Sequence, residues 1–312
     1  MSSFYVALHA VGPMFLMLVT GVMVRRAKLL TDTELTHVNK VVFNVLFSAM
    51  MFQSAYACDF KASFDAKLLV FTLIGVLVLY ALSVTTALAV TKDNRTRGAI
   101  VQALCRSNFV TMGLPVVSSI FGPEYLGNAA AMLSIVVPVF NILAIIALEL
   151  FRGGHVAPGR ILRSVCRNPL VLGAIAGLLL SALNIQLPEI LSEAVADLAG
   201  SATPMALIVL GASFKLSTIK SQKWLLVLCV AGRLIAVPAI ALTVGALLGF
   251  RGVDFVILIA VYCSPCAVAS YIMAQEMDSN VELSGNAVVL TSAFACVTMF
   301  CWIFLFRQLG MF

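Results

Sequence analysis

The amino-acid sequence predicts an all-α integral membrane protein with ten transmembrane helices in two inverted five-helix repeats. Three observations support this prediction: 62% of the residues are hydrophobic and only 11% are charged, the apolar residues fall into ten long runs, and the two halves share residue patterns in the same order. So few charges could not cover a soluble globule of 312 residues. In lipid, an open chain satisfies its backbone polar groups only as helix, so most of the chain should be helical.

The apolar runs have the length of membrane spans. A helix needs about 20 apolar residues to cross the hydrocarbon core of a bilayer. The runs lie near 4–24, 37–57, 67–91, 98–121, 127–150, 163–184, 197–214, 223–248, 253–275 and 284–306. The connecting loops are too short for a separate soluble domain, so we expect the membrane helices to form the whole protein.

Basic residues are concentrated on one side of this arrangement. Lys and Arg crowd the loops after spans 1, 3, 5 and 7, beginning with Arg25 and Arg26, whereas the opposite loops hold few. Because positively charged loops stay in the cytoplasm, we expect a multi-pass protein of the cell membrane with both termini outside the cytoplasm. These short loops account for the net charge of +6, so we expect the lipid bilayer as a partner and no nucleic acid.

Two residue patterns recur at nearly equal spacing in the two halves of the chain. Pro13 and Gly21 of span 1 recur as Pro169 and Gly177 of span 6, 156 residues later, and a Gly-Asn-Ala sequence opens both span 5 and span 10. This order predicts a duplicated five-helix unit. Because five is odd, the second copy enters the membrane from the opposite face, as in many secondary transporters. The predicted units are residues 1–152 and 160–312.

Helix breakers interrupt spans 4 and 9. Span 4 contains Gly113 and Pro115, and span 9 contains Pro265 within the sequence Cys-Ser-Pro-Cys. Proline disrupts the interior of a helix but suits the first turn of a new one. We therefore predict two half-helices in each span, the second starting near Pro115 or Pro265, with a plain proline kink as the alternative. The two half-helix N-termini would meet near the midplane, where their unpaired amides and partial positive charges favour a carboxylate.

Several short motifs, spread in order over almost the whole chain, resemble the auxin efflux carrier family of plant PIN transporters and bacterial permeases. The motifs are Thr31-Asp-Thr-Glu-Leu through Asn39-Lys40, Asn108-x4-Gly113-Leu114-Pro115, Ala202-Thr-Pro-Met-Ala-Leu207, Arg233-Leu234 followed by Pro238, and Ser264-Pro265 through Ala274-Gln275-Glu276. The resemblance implies a scaffold domain of spans 1, 2, 6 and 7, and a transport domain of spans 3, 4, 5, 8, 9 and 10. It also implies that the broken spans 4 and 9 cross at the substrate, that organic anions are carried by an elevator mechanism, and that a homodimer forms through the scaffold.

The chain departs from that family in span 2. Ser48 stands where relatives commonly have proline, while its counterpart 156 residues later, Pro204, keeps the proline. The positions that would face the substrate from span 2 are therefore open. The loop between spans 5 and 6 is short, unlike the long cytoplasmic loop of plant members. The resemblance is thus to the compact bacterial branch, which implies malate-like or malonate-like dicarboxylates, with auxin-like monocarboxylates as the other class.

The candidate substrate-binding residues cluster at the two breaks. Asn108 lies two helical turns before Pro115, on the same face, and its amide can donate to a carboxylate or tie two helices together. Thr111 can line the site or repair the break, and Asn44 of span 2 has packing or solvation as its alternative role. The full set is Asn44, Asn108, Thr111, Gly113, Pro115, Ser264, Pro265, Cys266, Ala267 and Val268.

Two arginines lie within spans. Arg106 is nine residues before Pro115, about 13 Å along a helix, which places it near the cytoplasmic boundary if the break is central. There it would extend to lipid headgroups or take part in anion capture. Arg233 lies deeper in span 8, and an arginine inside a membrane is a functional candidate. We expect its partner to be a helix C-terminus, Glu149 or Asp278, in a structural or a substrate-binding role.

The sequence indicates no cofactor and no metal site. Most of the eight cysteines lie in apolar runs, which favours packing over disulfides. Cys263 and Cys266 have the spacing of a redox pair, but they lie in a crossing helix with no histidine nearby. Apart from Glu149, no acidic residue lies well inside a span of the transport domain. The coupling ion, Na⁺ or H⁺, is therefore left open.

Three other functions remain as alternatives to an organic-anion transporter of the auxin efflux carrier type. A sodium-coupled symporter of the bile-acid type has the same inverted-repeat logic and differs in its sodium dependence. A membrane-embedded enzyme is disfavoured, because the three histidines are scattered and no paired acids lie within the spans. A passive channel also accommodates broken helices and differs in its lack of counterflow.

Overall fold

The computed structural model describes residues 2–57, 66–122, 125–152, 158–214 and 221–312. The described residues are helical and contain no strand, apart from one isolated bridge. Two helices, α2 and α10, each include one wider π-helical turn, at Val42–Phe47 and Gly232–Ala236. In chain order the helices are α1 (Ser2–Arg26), α2 (Asp32–Tyr56), α3 (Ala66–Val90), α4 (Asn94–Cys105), α5 (Phe109–Phe121), α6 (Leu126–Phe151), α7 (Pro158–Arg167), α8 (Pro169–Ala182), α9 (Glu189–Ser213), α10 (Lys223–Leu247), α11 (Gly252–Cys263), α12 (Ala269–Glu276) and α13 (Val281–Gln308).

Many of these helices suit a bilayer. Within the described ranges, α2, α3, α9, α10 and α13 are long and apolar enough to cross a membrane. Shorter apolar helices accompany them: α5, α8, α11 and the part of α6 from Ile135 to Phe151. The predicted all-helical membrane class is therefore confirmed, while the count of ten spans stays a prediction.

Polar caps determine where four helices begin. Thr31 and Glu34 form a capping box at the start of α2, and the side chains of Asp93, Asn168 and Asn280 accept backbone amide hydrogens at the starts of α4, α8 and α13. Such caps satisfy the amides that the first helical turn leaves unpaired. All four follow loops that we predict to be cytoplasmic.

Glycines allow two pairs of helices to approach closely. A Cβ atom at Gly21 of α1 would lie 2.1 Å from the carbonyl oxygen of Ile208 in α9, and one at Gly177 of α8 would lie 2.3 Å from that of Phe52 in α2. Small residues permit such backbone contact between membrane helices. Gly21 and Gly177 are the pair that recurs at 156 residues, so the recurring glycines do the same packing work in two different helix pairs.

Helix α10 accommodates Pro238 because a side chain of a neighbouring helix donates to the carbonyl that the proline leaves without its helical hydrogen bond. Proline has no amide hydrogen for the carbonyl four residues earlier, which belongs to Leu234. The indole Nε1 of Trp302 in α13 donates to that carbonyl over 2.9 Å. This bond ties α10 to α13 and leaves the carbonyl satisfied inside the protein.

Span 4 breaks earlier than the sequence predicted. Helix α4 ends at Cys105 and α5 begins at Phe109, so the predicted start near Pro115 is wrong and Pro115 lies inside α5. Span 9 breaks around Pro265, between α11 and α12, as predicted. The proline in α5 removes only one helical hydrogen bond. The break at 106–108 lies instead where the chain finds hydrogen-bond partners in the other broken span.

Candidate functional site

The two breaks cross each other and exchange backbone hydrogen bonds. The amide of Asn108 donates to the carbonyl of Pro265 over 2.9 Å, and the amide of Ala267 donates to the carbonyl of Arg106 over 3.3 Å. Ser107 and Cys266 form the antiparallel bridge between them. Non-helical backbone persists at membrane depth only where protein or a wet cavity satisfies it. Each break therefore supplies part of what the other one lacks.

Arg233 donates hydrogen bonds to the C-terminal ends of α4 and α11, which are the first half-helices of the two broken spans. Its side chain is fully buried in the wider turn of α10. Nε donates to the carbonyl of Ser264 over 2.8 Å, and Nη2 donates to that of Val261 over 3.2 Å. Nη1 donates to the carbonyls of Leu104 over 3.2 Å and Cys105 over 3.3 Å. The guanidinium thus offsets the partial negative charge at the ends of α4 and α11, and a helix C-terminus is its partner.

The acids considered as partners of Arg233 bind a different arginine. Arg152 lies 3.0 Å from Asp278 and 3.3 Å from Glu149, at the end of α6. In the described parts of the chain, neither Arg233 nor Arg106 takes part in an ion pair. The crossing therefore holds two buried guanidinium groups, and no carboxylate from the described part of the chain is bonded to either.

Arg106 lies at the break itself, with 4% of its surface exposed. The expected position near the membrane boundary was counted over the nine residues from Arg106 to Pro115. Because the break lies at 106–108, Arg106 is part of the break and does not extend to the membrane boundary. Its guanidinium donates to the side-chain oxygen of Asn141, and it lies 3.5 Å from the Oε1 of Gln102. The sulfur of Met273 is a third contact. All three partners are neutral, so the charge of Arg106 has no partner of opposite sign among the described residues.

Of the two polar atoms of the Asn108 side chain, Oδ1 has a hydrogen-bond partner, and Nδ2 has none among the described residues. Its Oδ1 accepts a hydrogen bond from the hydroxyl of Thr111 over 3.1 Å. Its Nδ2 is buried and has no hydrogen-bond partner within the described residues. A buried donor without a partner is unfavourable by about 1–3 kcal/mol. The sequence candidates Asn108 and Thr111 are thus brought together, with a donor available beside the N-terminus of α5.

Most of the candidate polar groups of span 9 already have hydrogen-bond partners within the protein. Ser264 is fully buried, and its hydroxyl donates to the carbonyl of Ala260 over 2.6 Å. The amide of Cys266 donates to the hydroxyl of Thr291 over 3.1 Å, and the amide of Ala267 is bonded to Arg106. In this conformation, these groups stabilise the break. Val268 is buried directly before α12, and Pro265 contributes its carbonyl to Asn108.

Three other candidates lie away from the bonded groups of the crossing. A Cβ at Gly113 would lie 2.7 Å from that of Ala260, so Gly113 serves the packing of α5 on α11. Pro115 is exposed in the interior of α5. Asn44 is also exposed, and its Nδ2 donates to the carbonyl of Lys40 over 2.8 Å. A substrate-binding role for these three residues stays a prediction.

Comparison with known proteins identifies the family to which this architecture belongs. A family model described as membrane transport protein matches residues 6–303. The chain belongs to this family, the auxin efflux carrier family. The resemblance deduced from the motifs is therefore confirmed, and the crossing lies inside the matched region.

Two archaeal relatives of this chain carry the description "uncharacterized transporter". One, from Methanothermobacter thermautotrophicus, is 24% identical over 288 residues, which cover 90% of this chain and 92% of the relative. The other, from Methanocaldococcus jannaschii, is 22% identical over 217 residues, which cover 68% of each chain. Family and relatives together indicate a membrane transporter.

Sequence reasoning missed the polar residues that support Arg106. Asn141 is 5% exposed, and its Nδ2 contacts the sulfur of Met51 in α2 and the carbonyl of Val137. Gln102 lies one turn before Arg106 and is 1% exposed. The available signal was a polar residue inside an apolar run: Asn141 stands within Val-Phe-Asn-Ile-Leu, and Gln102 within Ile-Val-Gln-Ala-Leu.

Proposed function

We propose that this protein is a secondary transporter of small organic anions, and that the carboxylate binds at the crossing of the two broken spans. The substrates would be malate-like or malonate-like dicarboxylates, or auxin-like monocarboxylates. The observation that supports this most strongly is Arg106, a buried guanidinium whose hydrogen-bond partners are all neutral. Asn108 adds an unpartnered amide donor at the same break.

The electrostatics of the crossing favour an anion. Removing a charge from water without a counter-charge is unfavourable by several kcal/mol. Arg233 offsets the negative ends of α4 and α11, whereas no acidic residue in the described ranges is bonded at the positive N-terminal ends of α5 and α12. A carboxylate would supply the missing negative charge, and a cation would add to the existing repulsion.

We also propose that transport follows the elevator mechanism in a protein of ten spans and two inverted repeats. Helices α1, α2, α8 and α9 would form the scaffold, since glycines join α1 to α9 and α2 to α8. The remaining spans would form the moving domain that carries the crossing. Both termini would lie outside the cytoplasm, and two copies would associate through the scaffold.

A binding screen tests the substrate class. Purified protein would be heated with malonate, malate or indole-3-acetate, each with and without sodium and at two pH values. We expect at least one carboxylate to raise the melting temperature, because a ligand that binds only the folded state stabilises it. Stabilisation that requires sodium would indicate a symporter of the bile-acid type. If no carboxylate stabilises the protein under any condition, the anion proposal is contradicted.

Uptake into proteoliposomes tests the site with the best-binding carboxylate. Asn108→Ala removes the free donor, and Pro265→Ala allows α11 to continue through the break, so we expect both to slow uptake. Arg152→Gln removes an exposed arginine of the ion pairs at the end of α6 and serves as the control. Wild-type uptake in both crossing variants would refute the site. Counterflow in the wild-type protein separates a carrier from a channel.

A further inference from the structure

Two apolar grooves flank α10, and they differ in charge. The first lies between α10 and α13, has a volume of about 370 Å³, and is lined almost entirely by aliphatic and aromatic side chains. Among the described residues, its one charged lining residue is Lys223, the first residue of α10. The second lies between α10 and α3, has a volume of about 470 Å³, and has no charged residue in the described part of its lining.

The first groove faces the bilayer. Helices α10 and α13 are both long and apolar enough to span a membrane. Val227 and Ile235 of α10 and Phe294 of α13 line the groove and are each about half exposed, at 49%, 56% and 53%. Apolar side chains exposed along a membrane helix contact lipid hydrocarbon, so an acyl chain is the natural occupant of the space between them.

The end of this groove lies at the membrane surface. Trp224, directly after Lys223, is 71% exposed, and tryptophan is enriched where a membrane helix meets the headgroups. Lys223 is exposed and has no ion-pair partner among the described residues. It lies on the side that we predict to be cytoplasmic, where anionic lipids are concentrated.

We propose that the groove between α10 and α13 binds one anionic phospholipid, with an acyl chain along Val227, Ile235 and Phe294 and its phosphate at Lys223. The N-terminus of α10 adds a partial positive charge at the same point. The groove between α10 and α3 offers only apolar contact, so it accepts an acyl chain without selecting the headgroup. One basic residue near the surface contributes about a fivefold preference for anionic lipid.

Native mass spectrometry of the full chain would test this site. The purified protein would be titrated with phosphatidylglycerol and, separately, with phosphatidylcholine of the same acyl chains. We expect the first phosphatidylglycerol to bind about fivefold more tightly than phosphatidylcholine. In Lys223→Gln the two lipids should bind equally, whereas Lys40→Gln, which removes an exposed lysine of α2, should keep the preference.

A matched pair of groove variants tests the acyl-chain contact. Ala231 lines the charged groove and Ala241 lines the neutral one, and both are partly buried in the same helix. Ala231→Leu should weaken the phosphatidylglycerol site, and Ala241→Leu should leave it unchanged. A preference that survives Lys223→Gln would overturn the headgroup assignment. An unchanged phosphatidylglycerol affinity in Ala231→Leu would overturn the groove assignment. The finding that lipid displaces a second copy of the chain from this face would overturn it as well.

Discussion

The two buried arginines of the crossing have the same charge and similar burial but very different surroundings. Arg233 is 0% exposed and donates to four backbone carbonyls at the ends of α4 and α11. Arg106 is 4% exposed and contacts two amide side chains and one sulfur. The first guanidinium is held by groups that carry the negative ends of helices, and the second is held by neutral side chains alone.

This difference indicates how the crossing of the two breaks can be stable and still have a group available to bind an anion. Arg233 satisfies carbonyls that would otherwise be unpaired inside the membrane, so its role is structural. Arg106 keeps a charge that the protein does not neutralise within its described residues, so we propose that its role depends on a ligand. Function is expected to reside at the residue whose charge is least well compensated.

The largest effect should follow from replacing Arg233. Arg233→Gln leaves most of its four carbonyls without a donor, and each buried unsatisfied group is unfavourable by about 1–3 kcal/mol. We expect a loss of about 3–5 kcal/mol in the free energy of unfolding, the usual result of breaking a buried charged network. Thermal unfolding in detergent measures this. A melting temperature equal to that of the wild type would remove the structural role assigned to Arg233.

Asn108 should affect binding more than stability. Asn108→Ala removes a donor that has no partner among the described residues, so the free energy of unfolding should fall by less than about 1 kcal/mol. Anion affinity should fall about tenfold, since a hydrogen bond to a charged group contributes about 1.5–3 kcal/mol. Titration calorimetry with the best carboxylate measures it, and Arg152→Gln, at the end of α6, serves as the control. Unchanged affinity would place the substrate elsewhere.

Ser264, in contrast, should affect stability more than anion binding. Its hydroxyl is bonded to Ala260 in a fully buried position, so Ser264→Ala should decrease the free energy of unfolding by about 1 kcal/mol. Anion affinity should change less than twofold, because the hydroxyl is already committed. A larger loss of affinity with unchanged stability would restore Ser264 as a direct ligand.

The smallest effect concerns Asp93, at the far end of the helix that Arg233 caps. Hydrogen bonds from the Thr96 side chain, and from backbone amides, lower the pKa of the Asp93 carboxyl below its usual value, against a smaller effect of burial. A carboxyl with a lowered folded-state pKa stabilises the protein above its unfolded pKa of about 3.9, and this contribution is lost as the pH falls through the folded-state value.

Asp93→Asn preserves the cap without the titration and therefore isolates this contribution. We expect the variant to lose less stability than the wild type below about pH 4, by a few tenths of a kcal/mol after solvent screening. Unfolding curves between pH 3 and pH 6 measure the difference. Identical acid profiles would mean that the cap of α4 is insensitive to charge.

The features that the sequence predicted are those encoded locally. The long apolar runs predicted the helical membrane class, and the break of span 9 follows from Pro265, which lies within it. The break at 106–108 was missed because it depends on bonds to Pro265 and Ala267, more than 150 residues away in the chain.

The same reason explains the two arginines. Arg233 could be recognised as an intramembrane charge, but four carbonyls from two other helices decide its role. Arg106 was placed near the membrane boundary because its depth was counted from Pro115. Distances along the chain give depth only when the position of the break is known.

The most direct test of the anion site compares Arg106→Met with Arg152→Met by calorimetric titration of the best carboxylate and by thermal unfolding without ligand. Arg106→Met removes an uncompensated buried charge and leaves an unbranched apolar side chain in its place, so unfolding without ligand should stay at or above the wild-type temperature. Its anion affinity should fall at least tenfold, while Arg152→Met binds normally. Wild-type anion affinity in Arg106→Met would contradict the account.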